Sequence, residues 1–97
     1  MEDRYKAELR ALIETSKHYP RRARRLGLQG RATVGLVMLR DGRIEKIRLI
    51  ESTGYKDLDR AVIDTIKAVS GELPIPEEIG IRHWSFRVPL VFVLGVA

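Results

Sequence analysis

Residues 31–52 read R-A-T-V-G-L-V-M-L-R-D-G-R-I-E-K-I-R-L-I-E-S, two alternating apolar runs on either side of Asp41-Gly42. Asp-Gly between such runs is the strongest short-range hairpin signal, because both residues tolerate the positive φ that a tight turn needs. A two-residue turn predicts that Arg40 faces Arg43, Leu36 faces Ile47, Val34 faces Leu49 and Ala32 faces Glu51. On the other face Leu39 meets Ile44, Val37 meets Lys46 and Thr33 meets Ile50. A one-residue slip would turn every side chain over, so turn and pattern must agree, and here they do. The second face is more apolar than a fully solvated one should be.

Upstream of the hairpin, residues 3–17 read as an amphipathic helix. Tyr5, Leu9, Leu12, Ile13 and Ser16 fall at the spacing of one helical face. Pro20 forces Tyr19 toward extended geometry and ends that helix. It can also open a short second helix, residues 20–26, that stops at Gly27. Downstream, Leu58, Ala61, Val62, Ile66 and Val69 make the buried stripe of a helix over residues 55–69, with Asp57 and Asp59 suited to its N-terminal dipole. Gly71 and the P-I-P of residues 74–76 end it, and a last strand runs over residues 84–94.

That last strand carries Pro89 in its middle. Proline cannot donate to a ladder, so within sheets it belongs on an edge strand with its nitrogen on the open side. Side chains and backbone bonds both alternate with period two. Trp84, Phe86, Val88, Leu90, Phe92 and Leu94 share the core-facing parity, which leaves Arg87, Pro89, Val91 and Val93 with outward backbone groups. The last strand is therefore predicted to be an edge. Such an edge has two readings at this point: protection against aggregation by Pro89 and Arg87, or a docking site for an extended peptide.

The predicted fold is α+β in two layers, helices packed on one face of a small antiparallel sheet, in the order α-β-β-α-β with the last strand at the edge. The expected strand order is second, first, last. Ninety-seven residues make a single unit, 1–97, with one core. The apolar fraction of 44% and charged fraction of 32% are those of an ordinary globular chain. No run approaches the ~20 apolar residues of a membrane span, and the N-terminus has no apolar signal core.

Chemistry is hard to assemble from this sequence. Cysteine is absent, so thiolate metal sites and disulfides are excluded. His18 and His83 have no partner at metal-ligand spacing. No serine sits in a nucleophile elbow, and Gly27 and Gly30 do not make a phosphate loop. The expectation is a non-enzyme with no catalytic residue, no metal and no cofactor. The net charge of +5 favours acidic partners, and Arg21, Arg22, Arg24, Arg25 and Arg31 lie together with no acid between them. Nucleic acid is the natural competitor. Against it, Trp84, Phe86 and Phe92 read as core rather than as platforms for bases.

An ordered set of short motifs resembles one family. Tyr19-Pro20, Gln29-Gly30, D-G-R-I at 41–44, E-S-T-G at 51–54, L-D-R-A at 58–61, P-I-P, and V-P-L-V-F at 88–92 follow each other as in the TonB C-terminal domain, over residues 5–94. The resemblance implies a periplasmic domain of a protein anchored in the inner membrane of Gram-negative bacteria. Such domains bind the TonB box of outer-membrane transporters by strand addition. They pass on energy harvested by ExbB–ExbD for uptake of iron-siderophores, vitamin B12 or similar cargo. The expected partners are TonB-dependent transporters, ExbB–ExbD through an anchor absent from this chain, and a second copy through the last strand, with no nucleic acid. Carried onto this sequence, the implied partner-binding residues are Tyr19, Pro20 and Arg22, beside the edge residues Arg87, Pro89, Val91 and Val93. Ser16-Lys17 departs from the Gln-Pro that the family often has before Tyr-Pro, and the sequence stops at Ala97, which leaves little for the additional terminal strand that some family members show. The alternatives are a TolA-like or secretin-associated envelope adaptor, and a small basic nucleic-acid-binding domain.

Overall fold

The computed structural model describes residues 1–95, so the last two positions of the 1–97 unit lie outside the described residues. In chain order the elements are α1 (Glu2–Ser16), α2 (Arg21–Arg25), β1 (Gly30–Leu39), β2 (Ile44–Glu51), α3 (Lys56–Val69), a single 3-10 turn (Glu77–Ile79) and β3 (His83–Phe92). The three strands form one antiparallel sheet in the order β2-β1-β3. This is the predicted α+β architecture, with the last strand at an edge.

The core lies between one sheet face and the helices. Ala32, Val34, Leu36 and Met38 of β1 and Val88, Leu90 and Phe92 of β3 point into it, two residues apart along each strand. Helix α3 covers β1 and β2 with Leu58, Val62, Ile66 and Val69, each fully buried. Helix α1 adds Tyr5, Leu9 and Ile13, one residue per turn. Thr65 is the buried polar residue of α3, and its hydroxyl is satisfied by donating to the Ala61 carbonyl at 2.7 Å.

The hairpin turn corrects one expectation. Leu39 N–H donates to the Arg43 carbonyl at 2.8 Å, so the loop has three residues, Arg40, Asp41 and Gly42, instead of two. Gly42 takes φ 93°, the left-handed position that closes this loop type. The Asp41 carboxylate accepts from Arg43 N–H at 3.0 Å, and this bond holds its pKa below the ordinary carboxylate range. A Cβ on Gly42 would lie 2.9 Å from the Pro74 nitrogen, because the loop after α3 packs against the turn. Gly71 N–H reaches the Gly42 carbonyl at 2.8 Å and Ile75 N–H reaches that of Arg40 at 3.0 Å. Tyr5 completes this staple by donating its hydroxyl to the Leu73 carbonyl at 2.7 Å.

The longer loop shifts the register near the turn, where Met38 pairs with Ile44 and Val37 with Glu45. A bulge then restores it. Lys46 adopts φ 51°, an extra residue is absorbed in β2, and Val34 meets Leu49 as the sequence predicts. A second irregularity pairs Thr33 with Glu51, so Ala32 does not face Glu51 and Thr33 does not face Ile50.

Candidate functional site

The two edges of the sheet are built differently. Strand β2 is interrupted twice by register shifts, and its first N–H, that of Ile44, is taken by the Ser70 hydroxyl at 2.9 Å. Strand β3 pairs with β1 without a break from Gly30↔Phe92 to Leu39↔His83. A regular, continuous edge is what a further strand can copy; bulges and side-chain caps prevent copying.

Which backbone groups of β3 face outward follows from one contact. The Val91 carbonyl accepts from Lys17 Nζ at 2.6 Å, a side chain reaching it from the end of α1 and not from β1. Alternation then turns the groups of Pro89 and Arg87 the same way, opposite Thr33 and Gly35 of β1. Leu94 has the other parity, and its N–H donates inward to Gln29 Oε1 at 2.9 Å, which ends the ladder past Phe92. Val91, on the sheet face away from the helices, is 41% exposed, and Val93, just past the end of the strand, is 63% exposed.

Helix α1 runs alongside this edge, in contact at both ends. At its start Tyr5 stacks on Trp84, ring centroids 5.3 Å apart, and Trp84 lies 4.7 Å from Phe86. The sequence reading places Trp84 and Phe86 in the core, but both are half-buried. They lie at the start of β3, where the first turn of α1 provides the cover, and Lys6 sits 5.8 Å above the Trp84 ring. Between helix and strand lies a groove of about 210 Å³ lined by Lys6, Leu9, Arg10, Trp84, Phe86 and Arg87.

The remaining predicted residues divide. Tyr19 is brought to β3: it meets Phe92 edge-on with centroids 5.3 Å apart, and its hydroxyl donates to the Leu28 carbonyl. Arg24 lies 5.8 Å over the same ring. Pro20 caps α2, and Arg22 turns to α3, where its guanidinium lies 3.8 Å from Asp57. Those two line a separate cleft of about 520 Å³ with His18, Arg60, Asp64 and Ala68. The seven residues therefore form an edge set joined by Tyr19 and a second set on the α2–α3 cleft.

The family model for the Gram-negative bacterial TonB protein C-terminal matches residues 15–94. The chain belongs to this family. It is 34% identical over 88 residues to the TonB protein of Pasteurella multocida, which covers 87% of this chain and 34% of that protein. Against the TonB protein of Campylobacter coli it is 24% identical over 88 residues, 91% of this chain and 36% of the relative. The chain thus spans about a third of the length of these relatives. The solution structure of the Helicobacter pylori TonB C-terminal domain, residues 179–285, superposes with a TM-score of 0.81 at 21% identity, covering 97% of this chain and 84% of that one. The HasB C-terminal domain gives 0.61 at 28% identity over 100% of this chain and 75% of that chain.

Lys17 is the residue at this TonB-family edge whose contact sequence reasoning missed. It enters the sequence reading as a departure from Gln-Pro, and its i,i+3 partner Glu14, 3.0 Å away, was the available local signal. Gln29 was seen as half of a motif, without its role as a side-chain extension of the ladder. Among the described residues no group of three His, Cys, Asp or Glu is placed to hold a metal.

Proposed function

We propose that this chain is the periplasmic domain of a TonB-type energy transducer, anchored in the inner membrane through a segment outside this sequence. It grips the TonB box of an outer-membrane transporter by adding that segment as a strand to β3. Energy from ExbB–ExbD passes through the grip to drive uptake of iron-siderophores, vitamin B12 or similar cargo. The observation that supports this most is the contrast of edges: β2 is bulged and capped, whereas β3 is regular over ten residues. Strand addition needs backbone donors and acceptors in a row: Arg87 and Val91 supply both, Pro89 supplies an acceptor, and Val93 carries the row one step past the end of β3. The arrangement binds and pulls; it does not transform a substrate.

Tyr19 acts by fixing the Phe92 end of that strand, and Arg22 by presenting charge beside the cleft on α3. The same open edge makes a second copy of the chain a competing partner at high concentration. The test is titration of the domain with transporter N-terminal peptides, followed by amide exchange. Slowed exchange at Val91 and Val93 is expected. Binding without protection at β3, or protection along β2 instead, would overturn the reading.

A further inference from the structure

The free β3 edge is not bare. Lys17 Nζ sits 2.6 Å from the outward carbonyl of Val91, 3.0 Å from Glu14 Oε1 and 5.5 Å from the Phe92 ring, and its side chain is 19% exposed. An incoming strand that pairs along Val91 must bring its own N–H to the acceptor that this ammonium already holds, and either share the two lone pairs of that carbonyl with it or displace it. Replacing a charge-assisted bond by a neutral one is unfavourable unless the ammonium finds another acceptor. Glu14 alone is a weak refuge, since its side chain is 63% exposed. Two residues back, Pro89 offers a carbonyl but no N–H, so at this end the outward N–H of Val91 is the donor left to hold a newcomer while the ammonium holds the carbonyl beside it.

We propose that Lys17 is a specificity-determining clasp: it admits along Val91 a strand that brings a carboxylate for the ammonium, and resists one that does not. This rests on the strand-addition reading given above. The other half of the edge has the same polarity. The groove beside Trp84 and Phe86 is lined by Lys6, Arg10 and Arg87 with no carboxylate among its lining residues. A strand entering there meets open backbone at Arg87 first, under a field that favours acidic segments. Pairing then runs toward Val91, where the clasp decides whether the strand seats fully.

The experiment uses ten-residue transporter N-terminal peptides in which Glu and Gln are exchanged in turn at each position. Wild type is expected to prefer Glu over Gln at one position by roughly threefold to tenfold, the net scale of one hydrogen bond at a solvent-accessible edge. Lys17→Met should lose that preference and bind the Gln peptide more tightly than wild type does, while Lys17→Arg should restore it. Retention of the Glu preference in Lys17→Met, or unchanged Gln-peptide affinity, overturns the proposal. The free domain gives an independent check: the Val91 carbonyl carbon resonance should move in Lys17→Met and stay near its place in Lys17→Arg. An unmoved resonance also overturns the clasp. If it moves but no peptide protects Val91 or Val93, the strand-addition reading fails and the specificity role falls with it.

Discussion

Proline can be used a second time on β3, at neighbouring positions with opposite consequences. Leu90 is 1% exposed and pairs with Ala32, with its N–H directed into the sheet. Leu90→Pro leaves a buried carbonyl on β1 without its donor, at about 1–3 kcal/mol. It also removes well-packed side-chain volume, at about 2 kcal/mol. Together these cost roughly 3–5 kcal/mol against a total stability on the order of 5–15 kcal/mol. For a domain of this size that is a fall in Tm of roughly 12–40 °C. Val91→Pro removes an outward N–H from a residue 41% exposed and keeps the carbonyl that Lys17 holds. Its stability should stay within about 0.5 kcal/mol of wild type, while transporter-peptide affinity drops about tenfold for the lost donor. Thermal melts and peptide titration of the two variants side by side make the assay. If both variants unfold alike, or Val91→Pro binds peptide normally, the parity assigned to β3 is wrong.

Four further outcomes follow from particular contacts. Tyr5→Phe deletes the bond to Leu73 and should cost about 1 kcal/mol in urea unfolding; because burial and the Glu8 charge push the Tyr5 phenol up to about 12, its contribution is full below the ordinary value near ~10 and is lost as pH rises toward 12, so the variant should lack that alkaline loss. Burial raises the Asp59 carboxyl, but bonds from the Ser52 and Thr53 hydroxyls and Thr53 N–H outweigh it and leave the pKa lowered; that stability is present above ~3.9 and lost as pH falls through the folded value, so Asp59→Asn should flatten the acid limb of a urea-midpoint profile. Gly42→Val meets both φ 93° and the Pro74 nitrogen and should destabilise by about 2–4 kcal/mol in the same assay. Converting Arg21, Arg22, Arg24 and Arg25 to Gln should slow peptide or transporter association and flatten its salt dependence with little change in Tm, since all four side chains are exposed.

The hairpin explains why a wrong turn still led to the right sheet. Asp41-Gly42 does mark the reversal, but which of the tight-loop types forms depends on what packs against it. Here the loop after α3 binds the carbonyls of Arg40 and Gly42, a contact between segments some thirty residues apart that no local pattern contains. The register error that this introduces lasts as far as Lys46, whose bulge removes it before Val34 and Leu49 meet. Alternation over the remaining residues kept the apolar side chains facing the helices, because a face with a core behind it tolerates a bulge but not a slip. The turn itself is set by tertiary packing and was not legible.

The candidate site divides along the same line. One proline in an alternating run fixes which residues of β3 turn their backbone outward, because alternation is a local property of the strand. What stands at that outward row is not local. Lys17 reaches Val91 across 74 residues of sequence, and it arrives there because α1 and β3 run side by side with Tyr5 anchored on Trp84 at the other end. A lysine on an edge is an ordinary way to discourage strands from pairing. Held at 2.6 Å from a backbone acceptor, it does more than repel: it competes for the bond that an incoming strand needs in order to seat at Val91. An edge left open for a partner and an edge guarded against unwanted copies are then the same structure. They differ in whether the arriving strand carries something that the ammonium prefers to Val91.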